Sequence, residues 1–178
     1  MGKFTTFFAL LVLSMLAAGL FGAGHNQLSY SVGPSYFHDL KFEQFGIAPE
    51  QHNRWGAALV GWRASWWMGL IVGLPAFLFG LFAIARPQTF LAAGIGAIGA
   101  VIFVTMVAAL AGLAFGMIFV DDNVATTMEL PEGLSDPVGY VRAGLMHDLS
   151  YFGGLAGALV ALWTMWRTKK MEEKHHAA

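Results

Sequence analysis

Cysteine is absent from the 178-residue chain. Its absence excludes disulfides, thiolate metal sites, iron–sulfur clusters, thioether-attached haem and a cysteine nucleophile. Charge is scarce too. Only 12% of the residues are Asp, Glu, Lys or Arg, against about 25% in an average soluble domain. The 10 basic and 11 acidic residues leave no basic surplus, and the aromatic residues lie in apolar stretches rather than among Lys and Arg, so nucleic-acid binding is set aside. What remains is 57% hydrophobic, with a mean hydropathy of +0.60. Such a composition predicts an all-α chain that lives in a lipid bilayer.

Four apolar runs carry that prediction. Residues 4–22 form an uncharged stretch preceded only by Lys3, which at 1.5 Å per residue nearly crosses a ~30 Å hydrocarbon core. It reads either as a cleaved signal sequence or as a first spanning helix; its length, beyond an ordinary signal h-region, favours retention. Residues 60–85 form the second run, with Arg63 near its start and Arg86-Pro87 after its end. Residues 90–120 carry no charge and exceed the roughly 20 residues a span needs. Residues 149–166 end in Trp163, Trp166 and a basic RTKK tract, an aromatic and cationic interface anchor. The expected fold is a four-helix transmembrane bundle with an extracytoplasmic loop cap, forming a single domain over residues 1–178. Its loops cover residues 23–55 and 121–148, and a solvated tail covers 167–178.

Basic residues near the spans set orientation. With the N-terminus inside, Lys3, Arg86, Arg167, Lys169, Lys170 and Lys174 face the cytoplasm, while Lys41, Arg54, Arg63 and Arg142 face out. The bias predicts a multi-pass protein of the bacterial inner membrane with both termini cytoplasmic and an acidic outer surface.

Small residues one turn apart give helices flat faces for close packing in lipid. Gly69 and Gly73, Gly112 and Gly116, and Gly153 and Gly157 have this spacing. They are expected to pack the bundle internally, or alternatively to meet a membrane-protein partner or a second copy. Pro75 should bend the second helix.

The remaining polar residues gather in the two outer connections. The first contains His25, Gln27, Tyr30, His38, Asp39, Glu43, His52 and Arg54, interspersed with Phe37, Phe42 and Phe45. Those phenylalanines need burial and so predict a compact cap on the bundle mouth, with a strand-like start at LSYSV and a short helix across FHDLKFEQF. The second connection is turn-rich until Asp136-Pro137, which starts a helix carrying Tyr140, His147 and Tyr151 toward the fourth span. The candidate outer-face cluster is therefore His25, Gln27, Tyr30, His38, Asp39, Glu43, Arg63, His147, Asp148 and Tyr151. Within it His25, His38 and His147 are candidate ligands for a divalent metal, since imidazole and carboxylate are common donors. No HExxH, HxH or paired Glu-x-x-His spacing supports that idea. Arg63, beside Trp62, Trp66 and Trp67, either snorkels to the headgroups or pairs with Asp39, Glu43 or Asp148. The span interiors hold no other ionisable residue, which argues against a proton relay or haem held by core histidines. His175 and His176 at the tail make a poor metal site.

The segments HNQLSYSVGPSYFHDLKFEQFGI, RASWWMGLIVG and MHDLSYFGGLAG resemble a family of small bacterial four-span membrane proteins usually labelled signal-peptide-containing or hypothetical. The shared elements are His25-x-Gln27 with Tyr30, Tyr36-Phe37, Lys41-Phe42-x-Gln44-Phe45-Gly46, Trp66-Trp67 with Gly69, and His147 with Ser150-Tyr151 and Gly153. Where a common form carries an acid after the first histidine, this chain has Asn26. The resemblance implies the four-span plan and an outer polar surface, and it transfers no catalytic residue or cofactor. Abundant helix-packing residues and sparse convergent catalytic groups predict a non-enzymatic scaffold or accessory subunit. The alternative is a metal-binding protein or enzyme with a His/carboxylate site on the outer face.

Overall fold

The computed structural model describes residues 2–177, with side chains placed as far as Lys174, and among them there is no strand. In chain order the elements are α1 (Lys3–Val32), α2 (Pro34–Tyr36), a π-helical turn (Phe37–Lys41), α3 (Phe42–Gln44), a 3-10 turn (Pro49–Gln51), α4 (Arg54–Ala83), α5 (Pro87–Phe119), α6 (Asp122–Thr126) and α7 (Pro137–Ala177). α1, α4, α5 and α7 are each long and apolar enough to cross a membrane.

Local chemistry fixes the starts of these helices. Proline opens α2, α5 and α7, where its missing N–H costs nothing. Asn53 caps α4 by accepting from the N–H groups of Trp55 and Gly56 at 2.9 and 3.3 Å. Asp136 caps α7 through Gly139 N–H at 2.8 Å. At the end of α3 the chain turns through Gly46, whose φ of 58° suits a residue without a Cβ.

The helices outrun the bilayer. The 30 residues of α1 and of α4 each extend about 45 Å, and the 41 of α7 about 62 Å, against a ~30 Å core. Several expectations change as a result. The apolar stretch 4–22 is only the N-terminal part of α1, which continues through His25, Asn26 and Tyr30, so the first connection shrinks to residues 33–53. LSYSV is helical rather than strand-like. His25, Asn26 and Ser29 are buried at helical spacing while Leu28 is exposed, a pattern that no alternating strand produces. FHDLKFEQF forms the expected short helical segment, wound partly as a π-turn. The second connection spans only residues 120–136, because α7 starts at Pro137 and runs without a break into the fourth apolar stretch. The tail continues that helix. In it Glu172 accepts from the N–H groups of Ala85 and Arg86 at 2.7 and 3.2 Å, tying α7 to the α4–α5 turn. The side chains of His175 and His176 lie outside the described residues.

α1 packs most extensively on α4, and α5 on α7. Glycine makes both pairings close. Gly22 and Gly61 bring the backbones of α1 and α4 into direct contact, Gly69 lies on the Ser14 carbonyl, and Ser14 Oγ donates to Gly69 O at 2.9 Å. On the other side Gly112 abuts the Leu145 carbonyl, Gly153 faces Thr105 and Ala108, and Gly157 faces Val101. Gly73 meets Phe77 and Ser14, and Gly116 meets Arg142. The six glycines of the small-residue motifs are thus engaged within the chain, which removes them as ready-made faces for a second subunit.

Two apolar cores close the ends of the bundle. One joins Phe7, Leu10, Phe77, Leu81, Phe90 and Met165. The other is the cap, where Phe37 and Phe42 are fully buried among Tyr36, Ile47, Ala57, Val60 and Ala143. Between the two cores the helix pairs part.

Candidate functional site

The parting of the pairs leaves a crevice of about 150 Å³. α1 lines it with Ser14, Ala18 and Gly22, α4 with Ala64, Met68 and Val72, α5 with Ile98, Val101 and Ile102, and α7 with Ser150, Gly154 and Ala161. Its walls are mainly aliphatic. Its ionisable and amide groups collect at the cap end, where His25, Asn26, Lys41, His147 and Tyr151 all border it, while the hydroxyls of Ser14, Ser65 and Thr105 lie along the walls.

His25 and His147 are the centre of that end. One comes from α1 and the other from α7, they are 3% and 8% exposed, and their rings meet edge to face with centroids 4.6 Å apart. His147 Nε2 is bonded to Ser29 Oγ at 3.1 Å, and its ring lies 4.8 Å from that of Tyr36. His25 Nδ1 lies 3.4 Å from Asn26 Oδ1, while Asn26 Nδ2 donates to Ala57 O at 2.9 Å. The Met146 carbonyl lies close enough to the His25 ring to act on it as a hydrogen-bond acceptor, although Nε2 of His25 is buried and makes no hydrogen bond of ordinary geometry.

The other candidates serve the cap instead of this centre. Tyr30 Oη bonds His38 Nε2 at 3.0 Å, and the His38 ring lies 6.0 Å from that of His52, which stacks on Phe42. Gln27 donates to Arg54 O at 3.0 Å, and Arg54 returns bonds to Gln27 O and Ser31 Oγ. Asp39 accepts from both the N–H and the hydroxyl of Ser135, at 3.1 and 2.9 Å, and Ser35 donates to Asp136 O at 2.8 Å, so the two connections clasp one another. Arg63 does hold the cap to the bundle, but it does so through the Phe45 carbonyl at 2.9 Å rather than through an acid. Glu43 and Asp148 are exposed. Tyr151 is 56% exposed and reaches the crevice from its rim.

The ten candidates therefore divide into a buried pair, a set of clasps and an exposed rim. His38 is turned to Tyr30, away from the other two proposed ligands, and among the described residues no group of three His, Asp or Glu is placed to hold a metal ion. Four contributors went unrecognised in the sequence: Asn26, Ser29, Tyr36 and Lys41. Asn26 and Ser29 continue the helical stripe of Ser14, Ala18 and Gly22, a signal hidden by ending the first helix at residue 22.

Lys41 is half-buried, donates to Gln44 Oε1 at 2.9 Å, and sits 5.2 Å from the centre of the Tyr36 ring. Burial pulls its ammonium below the ordinary lysine range, against the opposing attraction of Asp148. Burial also pushes the Tyr36 phenol up, with Tyr151, Asp148 and Tyr140 adding to the shift, so Tyr36 stays protonated. The cap end thus presents one cation and neutral hydrogen-bonding groups to an otherwise apolar space.

These features define a multi-pass helical membrane protein with an apolar crevice closed at one end by a folded cap. No protein-family model matches the chain, and no curated protein or solved structure matches it.

Proposed function

We propose that this protein is a non-enzymatic accessory component of a bacterial cytoplasmic membrane that holds a chain-bearing amphiphile in its crevice. Both termini lie in the cytoplasm and the cap lies outside. The crevice between the two apolar cores carries this proposal: its mainly aliphatic walls are continuous with spans that lie in lipid, and its ionisable and amide side chains sit at one end only, while the wall hydroxyls of Ser14 and Thr105 are bonded to backbone carbonyls. An amphiphile has that same polarity. On this proposal the chain is one of the small bacterial four-span proteins that the segments quoted above resemble. The alternative of a His/carboxylate enzyme or metal centre has one observation in its favour, the contact of His25 with His147. It lacks a third converging donor among the described residues.

Gly154 supplies the test. It lines the crevice, and a Cβ there would meet nothing within 4 Å. Gly154→Leu should fill the space while leaving the fold intact, since leucine is the better helix former by about 1 kcal/mol. Wild-type protein purified from membranes is expected to carry one amphiphile per chain, quantified by mass spectrometry of extracted lipids, and the variant none. Wild-type protein recovered without a stoichiometric amphiphile would end the proposal.

Sidedness is open to a clean experiment because the chain has no cysteine of its own. In Glu43→Cys, Glu132→Cys and Lys174→Cys, an impermeant maleimide should label the first two in intact spheroplasts and the third only after permeabilisation. Labelling of positions 43 and 132 from opposite sides would overturn the topology.

A further inference from the structure

An unpartnered polar atom in the interior needs an explanation, because it has lost its water without gaining a hydrogen bond in return. Nε2 of His25 is such an atom, on a residue 97% removed from solvent at the polar end of the crevice. Its chemistry follows from its neighbours. Asn26 Nδ2 donates to the Ala57 carbonyl, which fixes Asn26 Oδ1 as the atom facing His25 Nδ1. An oxygen acceptor there calls for the proton on Nδ1. Nε2 then carries a lone pair that needs a donor, and the Met146 carbonyl beside the ring, itself an acceptor, cannot be one. His147 does not supply one, because its own Nε2 is engaged with Ser29. Lys41 borders the same space, and its Nζ reaches Gln44 on the solvent side, so a cation stands at the mouth without a carboxylate within salt-bridge distance among the described residues.

The depth of the space limits the tail. From His147 to Ala161, both of which line it, α7 advances 14 residues, or about 21 Å. One leaflet of a ~30 Å hydrocarbon core is about 15 Å deep, so the crevice runs the depth of a leaflet. Because it is open along its side, its volume of about 150 Å³ encloses only part of an acyl chain, the rest lying in lipid.

We infer that the crevice selects a long-chain carboxylic acid, with its chain between the helix pairs, its acid proton shared with His25 Nε2, and its second oxygen turned toward the Lys41 ammonium. This inference rests on the amphiphile-binding proposal above and adds the head that is recognised. A carboxyl group offers a donor and an acceptor together. An alcohol offers the donor without the charge complement, and an ester offers neither the donor nor the charge.

The experiment uses full-length protein in phosphatidylcholine nanodiscs and a photoreactive, diazirine-bearing hexadecanoic acid, with crosslinked peptides mapped by mass spectrometry. Unlabelled hexadecanoic acid, hexadecanol and methyl hexadecanoate compete for the site. Wild-type protein should crosslink at crevice residues, with the acid competing at about tenfold lower concentration than the ester, the effect of one hydrogen bond to a charged or strongly polar group. His25→Phe should abolish the preference for acid over ester. Lys41→Met should abolish the preference for acid over alcohol while leaving alcohol over ester. Equal competition by acid and ester in the wild-type protein overturns head selection, whether or not either variant folds, and leaves chain binding standing. Crosslinking that is absent from the crevice, or unchanged in Gly154→Leu, overturns chain binding itself.

Discussion

Gly61→Leu should separate α1 from α4 and leave little folded protein. A Cβ at Gly61 would strike the carbonyl of Gly22 and the backbone N of Ala23, and none of these is the free end of a flexible side chain that can swing aside. Leucine brings three further carbons to the same place. Overpacking of this kind ordinarily costs about 1–3 kcal/mol, and more when backbone must move, so a loss of about 3 kcal/mol or more is expected. The damage extends beyond packing, because the Asn26–Ala57 bond one turn away and the Ser14–Gly69 bond further along the same seam depend on the same close approach. Thermal unfolding in detergent, followed by size-exclusion profile or tryptophan fluorescence, measures the effect. Gly99→Leu is the control. A Cβ at Gly99 meets nothing within 4 Å, so that variant should unfold with the wild-type protein. Equal losses in the two variants would show that leucine is harmful in these helices regardless of the seam.

The second large effect is expected from Phe37→Ala. The Phe37 side chain is fully buried and lies between Tyr30, Tyr36, Phe42 and His147, with ring centroids 5.3 to 6.1 Å away. Truncating a buried phenylalanine costs about 3–5 kcal/mol through lost transfer energy and the cavity left behind. Here the loss falls on the cap, which has few other apolar anchors and no disulfide to hold it. Residues 33–53 should become accessible to limited proteolysis while the four long helices stay protected. Phe103→Ala removes a ring that is 69% exposed on the outside of α5 and should leave the digestion pattern unchanged. A cap that resists proteolysis equally in both variants would mean that the clasps from Asp39, Ser35 and Arg63 hold it without the aromatic core.

The clasps illustrate how far residue type carries and where it stops. Phe37 and Phe42 had to be buried, since a polar connection gains nothing from exposed phenylalanines, and a cap over the bundle mouth follows from that need alone. Asp136-Pro137 likewise announces a helix start, and the cap bond to Gly139 is present. Arg63 was legible as a tie between connection and bundle but not in its partner. A guanidinium can donate to a carbonyl as well as to a carboxylate, and Gly46 turns the Phe45 carbonyl toward it. The first connection was overestimated because hydropathy falls after residue 22 while helicity does not. Asn26, Gln27 and Ser29 each find a hydrogen-bond partner on a neighbouring helix, the His25 ring packs on that of His147, and nothing breaks the helix before Gly33-Pro34.

By itself, then, the sequence determined that four stretches stay in lipid, that glycines let them approach, and that aromatic residues fold a cap between the first two. These follow from transfer free energies and side-chain sizes, which each residue carries wherever it lies. Tertiary structure alone decided that the glycine faces are spent inside the chain, that a crevice remains between the two helix pairs, and that His25 of the first helix meets His147 of the last while His38 turns away. The physical reason is rotation. Which side of a nearly uniformly apolar helix faces its neighbours has almost no signature in hydropathy, and it is settled only when the backbones of α1 and α4, and of α5 and α7, close on each other at glycine.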